Sequence, residues 1–496
     1  MKPMPLLKSL RQPLSQACGG WPLLHWVAGI ALLLRLLVAF GSEQIWHPDE
    51  VFQYLEQGHR LAFGYGTIPW EYRYGIRSWL LPGLIAGVLA ICQRLGLGDP
   101  HFYIPLIQGL TCLVSLVLVY CAYWLGRQLV SEAVGRVAAV LTALWHELLI
   151  VAHKPTPEIF GAYLLVLALT LIVVKGQRGS AVLAGVCCAT AVALRLQYAP
   201  VALVLIGAAS YYWRWKQIAI ALLSGLAVIA AAGALDAYTW GFPFASYYHN
   251  YLYNKVYGVS LLWGRQPLWT YPLLLAFNSG GVFLGAIAYS LIRKPPKPWL
   301  LMAMVASVVI PHTLIGHKEY RFIFVAIPLC LLLTAILLVD LAQRFSQRQS
   351  WLRFLVGYLT VCSIAGVLVN TRLLSRSDTL QASLYLNDAP RVESVLNLHS
   401  VWFNAGGYYY LHRDVPLYFA EHLPEQPIDF ADHFSHIIVK SNHAPIPGFE
   451  PIAQFDSATV LANHQDGPYQ LIETDPRIPL QGGVDGIYEP RITPRF

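Results

Sequence analysis

The chain has 496 residues, of which 56% are hydrophobic and only 12% charged, and its mean hydropathy is +0.50. An ordinary soluble domain carries about 25% charged residues, so this composition excludes a soluble enzyme and indicates a polytopic membrane protein. The net charge of +7 does not point to nucleic acid, because the basic residues sit in short loops between apolar runs, as the positive-inside rule describes.

In chain order, the apolar runs predict spans at 23–41, 102–125, 134–152, 157–174, 180–194, 198–213, 217–236, 269–292, 299–316, 322–343 and 354–373, by the criterion of about 20 residues per crossing. The first run has no small-residue cleavage site before the polar turn that follows, so it is expected to be an uncleaved anchor. A further apolar piece, SWLLPGLIAGVLAICQRLGL (78–97), is decided by parity. Basic residues cluster at Lys2, Lys8 and Arg11, at Arg127 and Arg136, and at Lys175 and Arg178. Others gather at Arg214 and Lys216, at Arg293, Lys294 and Lys297, and at Arg344, Arg348 and Arg353. If all of these face the cytoplasm, 78–97 cannot cross. It must lie along the outer interface or enter and return, which suits Pro82 and its internal glycines. About eleven crossings remain, with the N-terminus inside and residues 374–496 outside.

Beyond 374 the texture changes. SVWFNAGGYYYL, PLYF, SHIIVK and FEPIAQF are short strand-like runs broken by Gly, Pro and Asn, so 374–496 reads as a small α/β or β-rich outer domain on a transmembrane domain of residues 1–373. All eight cysteines precede residue 374 and none has metal-ligand spacing, so they read as small buried hydrophobes. The outer domain is therefore not built on disulfides. No Asn-x-Ser/Thr sequon and no internal repeat occur.

This topology gathers five polar clusters on one side: 47–60 with 71–78, HKPTPE (153–158), RLQY (195–198), the aromatic loop 236–255, and HKEYR (317–321). Ionisable groups at membrane depth are costly and usually face a cavity, so the five imply a single site. In HPDE (47–50), Pro48 suits a first helical turn, and Asp49 and Glu50 suit the positive end of its dipole. A capped helix start is a sufficient local reading. Continued as VFQYLEQGHRL, it places Asp49, Gln53 and Glu56 on one face and Val51, Phe52 and Leu55 on another. An interfacial amphipathic helix would then carry a carboxylate at its tip, where a general base is needed if one substrate has a lipid tail. In HKEYRF, His317, Lys318 and Arg321 are cations within about one helical turn, with Glu319 among them. A snorkelling belt is the plain alternative, but a lipid-borne phosphate explains cations on the outer side. Glu158 is accounted for locally as a cap, and Arg195 needs an anion of some kind. The loop 237–269 is either an interfacial aromatic belt or a wall for stacking sugars. Walker A, Rossmann, HExxH and Ser-His-Asp signatures are absent.

HPDEVFQ, IRSWLLP and HKEYRF, in that order, closely resemble the lipid-phosphate-mannose-dependent mannosyltransferases of GPI-anchor and N-glycan assembly. These form part of the glycosyltransferase C superfamily, and the resemblance is nearest to the branch that adds the third GPI mannose. WEYRYGIRSWLLP (70–82) and LDAYTWGFPFASYYHNYLYN (235–254) are similar to further stretches of that family, and the resemblance runs from about 35 to 345. It implies a first outer loop with interfacial helices that holds the catalytic acid. Carried over by position, it makes Asp49 the base and Glu50 its neighbour. His317, Lys318, Glu319 and Arg321, with Arg77 and Arg195, become donor-phosphate ligands, and His47, Glu158, Asp236, Asn250 and Tyr251 become acceptor or sugar ligands. HKPTPE, Gln197 and WGRQPLWTYPLL depart from the family's pattern on the acceptor side, so the acceptor need not be a GPI or N-glycan precursor.

The expectation is an α-helical membrane protein of glycosyltransferase C type, with an inverting transfer of mannose from a polyprenyl- or dolichyl-phosphate donor to a glycolipid or lipid-linked glycan. Neither a cofactor nor a metal is expected, because basic side chains stand beside the leaving phosphate. The partners are the two lipid substrates and membrane lipid, not nucleic acid. The missing sequons and outer disulfides suit a bacterial cytoplasmic membrane, with the endoplasmic reticulum membrane as the expectation for a eukaryotic source and the catalytic face outside the cytoplasm in either case. A lipid-linked saccharide flippase is the alternative from another class, but it should spread charge along its spans and show repeat symmetry. A sensor that binds through its outer domain is a third.

Overall fold

The computed structural model describes residues 21–41, 45–174, 178–293, 298–344, 349–373, 377–400, 404–420, 428–465, 467–470 and 472. The readings of Lys2, Lys8, Arg11, Cys18, Lys175, Lys294, Lys297 and Arg348, of 401–403 within SVWF, and of 473–496 lie outside these residues.

Most of the chain is a helical bundle. Among the described residues, four helices are by themselves long and apolar enough to cross a membrane: Leu23–Gly41, Pro100–Leu129, Trp215–Trp240 and Ala326–Arg344. A fifth candidate is the pair Thr270–Asn278 and Val282–Arg293, bent by 109° at its break. Leu80–Arg94, Pro157–Val173, Gly179–Leu194, Leu196–Tyr212, Trp299–Thr313 and Arg353–Val369 are shorter apolar helices. The expected span 134–152 is broken, because helix Glu132–Leu144 ends at Trp145 in extended conformation and a separate turn, His146–Ile150, follows.

Helix starts follow the sequence closely. Asp99 accepts the amide of His101 at 2.8 Å ahead of helix Pro100–Ser115. Pro157 opens helix Pro157–Val173 as its first residue, where a missing N–H costs nothing. Small residues set the closest crossings, as lipid-embedded packing favours. Gly185 on helix Arg178–Leu194 lets helix Trp215–Trp240 approach so closely that a Cβ there would run into the carbonyl of Ala221 and the hydroxyl of Ser224. Gly185→Val is therefore expected to destabilise the bundle by about 1–3 kcal/mol, seen as a lower melting midpoint in detergent. Gly207→Ala, at a position with nothing within 4 Å, should not lower it.

The C-terminal part carries a five-stranded sheet of β1 (Val395–Asn397), β2 (Leu417–Phe419), β3 (His436–Lys440), β4 (Phe449–Gln454) and β5 (Ala458–Asn463), in the order β2-β1-β3-β5-β4. β1 pairs in parallel with β2 and β3, while β5 runs antiparallel to β3 and β4. PLYF, SHIIVK and FEPIAQF form strands as expected, but YYYL at 408–411 is a helical turn. Alternation along the strands gives the sheet two apolar faces. Leu396, Tyr418, Ile437, Val439 and Leu461 pack together on one side. On the other, Val395, Leu417, Phe419, Ile438 and Val460 join Val51, Phe52, Leu55, Leu81, Ile85 and Leu89.

That second face corrects the expectation of an interfacial amphipathic helix running from Pro48 through VFQYLEQGHRL (51–61). After Pro48 and Asp49 the chain forms a π-helical segment, Glu50–Leu55, then an α-helix, Glu56–Phe63, closed by Gly64 at φ 89°. Residues 50–59 are all buried, because the C-terminal sheet covers the side that the sequence left for lipid. The wider π turn, frequent at functional sites, also breaks the expected 3.6-residue face. Segment 78–97 forms helix Leu80–Arg94, which buries Leu81, Ile85 and Leu89 under the sheet and exposes Leu84, Ile91 and Leu95. Gly58 allows its tight crossing, since a Cβ there would lie 2.8 Å from Ile85 Cβ.

Candidate active site

Arg321 is the hub of the polar clusters. Its Nη2 lies 2.6 Å from Asp49 Oδ2, its Nε 2.5 Å from Glu319 Oε2, and its Nη1 3.5 Å from Glu158 Oε1. Glu158 is also ion-paired with Arg195, which stands in extended backbone between helix Arg178–Leu194 and the turn Leu196–Tyr198. The ring of Phe322 supports both guanidinium groups, 4.4 Å from that of Arg195 and 5.4 Å from that of Arg321, a favourable cation–π arrangement. His317 Nε2 sits 2.8 Å from Glu319 Oε1. Four segments far apart in sequence thus meet in one network, with 317–322 as its centre.

Asp49 and Glu319 are the reachable acids of this network. Their side chains are 22% and 24% exposed, against 1% for Glu158 and 4% for Glu50. Burial works to raise the Asp49 carboxyl, but Arg321 and His47 outweigh it and hold the group well below the usual carboxylate range. Glu319 is depressed in the same way, by His317, His47 and Arg321 against burial. His47 stands between the two acids, with Nδ1 3.5 Å from Asp49 Oδ1 and Nε2 3.2 Å from Glu319 Oε2. Burial opposes its protonation, but Asp49 and Glu319 lift its pKa from 6.5 to about 9. A raised pKa stabilises the folded state fully below the unfolded value, and that contribution is lost as pH climbs through the folded one. The melting midpoint of the native protein should therefore exceed that of His47→Gln at pH 6, with the gap closing between about 6.5 and about 9. A gap that stayed constant with pH would show His47 to be neutral.

Glu50 points elsewhere. Its Oε1 lies 3.1 Å from Lys154 Nζ, with both side chains 4% exposed, and its Oε2 accepts the Trp46 amide at 3.2 Å. Arg77 donates through Nε to Gln53 Oε1 at 2.8 Å, and Gln53 Nε2 donates to Glu71 Oε1 at 2.7 Å. Burial pushes Glu71 up to about 7. Lys318 gives its ammonium to the carbonyls of Gln266 (2.9 Å) and Ile315 (2.6 Å). The aromatic loop reaches the site through its frame: Trp240 Nε1 donates to the Arg77 carbonyl at 3.1 Å, and Asn250 Nδ2 lies 3.5 Å from the Ile76 carbonyl. Asp236 is turned into its own loop, accepting the Ser246 amide and hydroxyl at 2.9 and 2.6 Å, and Tyr251 is exposed. The structure therefore brings Asp49, His47, Glu158, Arg195, His317, Glu319 and Arg321 into direct contact. Glu50, Arg77, Lys318, Asp236, Asn250 and Tyr251 stand outside that inner group.

Two guanidinium nitrogens in the network, Arg321 Nη1 and Arg195 Nε, make no hydrogen bond, although Nη1 of Arg321 faces Glu158 Oε1 at 3.5 Å. Unsatisfied buried donors are costly, and these two lie in the same network as the reachable acids Asp49 and Glu319. Among the described residues, no group of three or more His, Cys, Asp and Glu is placed to hold a metal ion. Sequence reasoning missed Lys154, Glu71 and Glu56 as partners. The available signal was charge matching, since HKPTPE offered a lysine with no assigned carboxylate and HPDE a carboxylate with no assigned cation.

The architecture resembles that of ArnT from Cupriavidus metallidurans bound to undecaprenyl phosphate, with a TM-score of 0.61 at 12% identity over 91% of this chain and 100% of that one. In sequence, the chain is 26% identical to GPI mannosyltransferase 3 of Drosophila melanogaster over 341 residues, which are 66% of this chain and 58% of the relative. It is 25% identical to GPI mannosyltransferase 3 of Yarrowia lipolytica over 422 residues, 82% of this chain and 78% of the relative. The model of the Alg9-like mannosyltransferase family matches residues 26–412. That match contains the whole charged network but only β1 of the five strands of the C-terminal sheet, and the chain belongs to the Alg9-like mannosyltransferase family.

Proposed function

We propose that the protein is an integral-membrane inverting glycosyltransferase that moves mannose from a polyprenyl- or dolichyl-phosphate donor to a hydroxyl of a glycolipid or lipid-linked glycan. Asp49 takes the acceptor's hydroxyl proton while that oxygen attacks the anomeric carbon from the face opposite the phosphate. The bond from the anomeric carbon to the phosphate oxygen breaks, and the lipid phosphate leaves with the electron pair. The observation that carries this reading is a reachable carboxylate held by a guanidinium whose Nη1 still has no hydrogen-bond acceptor. Such a group can serve a phosphate oxygen as charge develops on it. Arg195 and the remaining proton of Lys318 would assist, so the cations carry the role that a metal plays in other transferases. Arg77 would act through Gln53 rather than on the phosphate directly.

The likeness to an undecaprenyl-phosphate-bound protein and to GPI mannosyltransferases supports a lipid-phosphate donor and a glycolipid acceptor. We place about eleven crossings in the bundle, counting the bent pair, the shorter apolar helices other than Leu80–Arg94, and the broken segment Glu132–Leu144 with His146–Ile150, with Asp49 on the side away from the cytoplasm. The bacterial membrane expected from the missing sequons finds no support in these relatives, which are eukaryotic. The test is to incubate purified protein with labelled polyprenyl-phosphate mannose and a membrane lipid extract. A labelled glycolipid with inverted anomeric configuration is expected. Retained configuration, or labelled donor moved between leaflets with no new product, would overturn the proposal.

A further inference from the structure

The C-terminal sheet does more than cover the first-loop helix, because one buried carboxylate joins the two. Glu56 is fully buried at the start of helix Glu56–Phe63, directly after the π-helical segment that follows Asp49. Its Oε1 accepts the amides of Thr67 at 2.7 Å and Tyr408 at 3.2 Å, and its Oε2 accepts that of Tyr409 at 2.8 Å. No cation pairs with it in these bonds. A carboxylate with three backbone N–H donors needs none, because charge-assisted bonds to amides satisfy it. The backbone is shaped to permit this. Gly407 sits at φ 63°, and a Cβ there would lie 2.8 Å from Glu56 Oε2 and 3.1 Å from Phe52 Cε1. Two further links close the same seam: Tyr103 donates its hydroxyl to the Tyr409 carbonyl at 2.5 Å, and His59 Nε2 lies 3.0 Å from His412 Nδ1.

We propose that Glu56 is a positioning residue through which the segment 404–412 of the C-terminal domain fixes the helix that presents Asp49; this rests on Asp49 being the base. The π-helical segment is short, and its side chains pack against the sheet. Releasing residues 407–409 would let that helix shift and change the distance from Asp49 to Arg321. The C-terminal domain is thereby a component of the reaction geometry rather than an appended binding module.

Glu56→Gln replaces one acceptor oxygen with a donor that faces an amide, and Gly407→Ala pushes a methyl group into the same carboxylate from the other side. Each is expected to lower kcat by about 10- to 100-fold, with KM for polyprenyl-phosphate mannose unchanged. Each should also raise amide hydrogen exchange in peptides covering 404–412, and the double variant should be little worse than either single one, as for residues acting on one contact. If Glu56→Gln failed to fold, Gly407→Ala alone would carry the test. Faster exchange at 404–412 with normal kcat would overturn the proposal, as would lost kcat with exchange unchanged. Asp49→Asn separates this proposal from the one beneath it: it should abolish turnover with exchange at 404–412 unaltered. An active Asp49→Asn would remove the base assignment and this inference with it, whereas an inactive Asp49→Asn beside a fully active Glu56→Gln would remove this inference alone.

Discussion

Asp49→Asn is expected to lower mannosyl transfer by about 10²- to 10⁴-fold, the range for losing a positioned general base, without unfolding the protein. Asparagine keeps the shape and one acceptor oxygen for Arg321, so the 317–322 hub should stay assembled, but it cannot take a proton. The low pKa of Asp49 appears at first to argue against the role, since a weakly basic carboxylate is a poor proton acceptor. The geometry resolves this. The depression comes from Arg321 and His47, working against a burial that would raise it. A donor phosphate drawn to Arg321 would compete for that guanidinium and return basicity to Asp49 when the acceptor hydroxyl needs it. A second expectation follows from the same logic. Glu319→Gln removes the carboxylate that Arg321, His47 and His317 share, and it should cost less activity than Asp49→Asn because Glu319 orients cations rather than moving a proton. The assay is initial-rate transfer in proteoliposomes at matched protein levels, with melting midpoints as the folding control. Near-native turnover by a folded Asp49→Asn would falsify the assignment.

What the sequence disclosed was the chemistry of each cluster and, through the positive-inside rule, that the clusters share a side. HPDE, HKPTPE, RLQY and HKEYR do converge, and Arg321 touches residues from two of the others. Two things were illegible, each for a physical reason. The first is the division of partners within a cluster. Adjacent residues such as Asp49 and Glu50 look equivalent in sequence, but the helical turn at Pro48 aims one at the 317–322 loop and the other at Lys154. The second is the C-terminal domain. Its strand β1 has only three residues, and 408–411 reads as strand although it forms a helical turn held by Glu56. Periodicity reports that the first-loop helix has a buried face. It does not report that a sheet from more than 300 residues later is what covers that face.

The pair Glu50–Lys154 shows how the second carboxylate of HPDE is held, and the largest stability effect is expected there. Both side chains are 4% exposed and 3.1 Å apart, and burial raises the Glu50 carboxyl against the pull of Lys154. Removing one partner of a buried pair leaves an uncompensated charge and costs about 3–5 kcal/mol, a large fraction of an ordinary margin of about 5–15 kcal/mol. Lys154→Met should therefore leave little folded protein in detergent at the native melting midpoint. Glu50→Gln with Lys154→Met removes both charges, and replacing such a pair with neutral groups of similar volume is often tolerated. The double variant should regain most of the lost stability. Its activity then decides the role of Glu50. If the pair serves only to seat the Asp49 turn against 153–158, the refolded double variant transfers mannose within about tenfold of the native rate, the cost of a minor misplacement rather than of a missing catalytic group. If it is stable but inactive, Glu50 acts on the substrate, and the site has two working carboxylates instead of one carboxylate and its anchor.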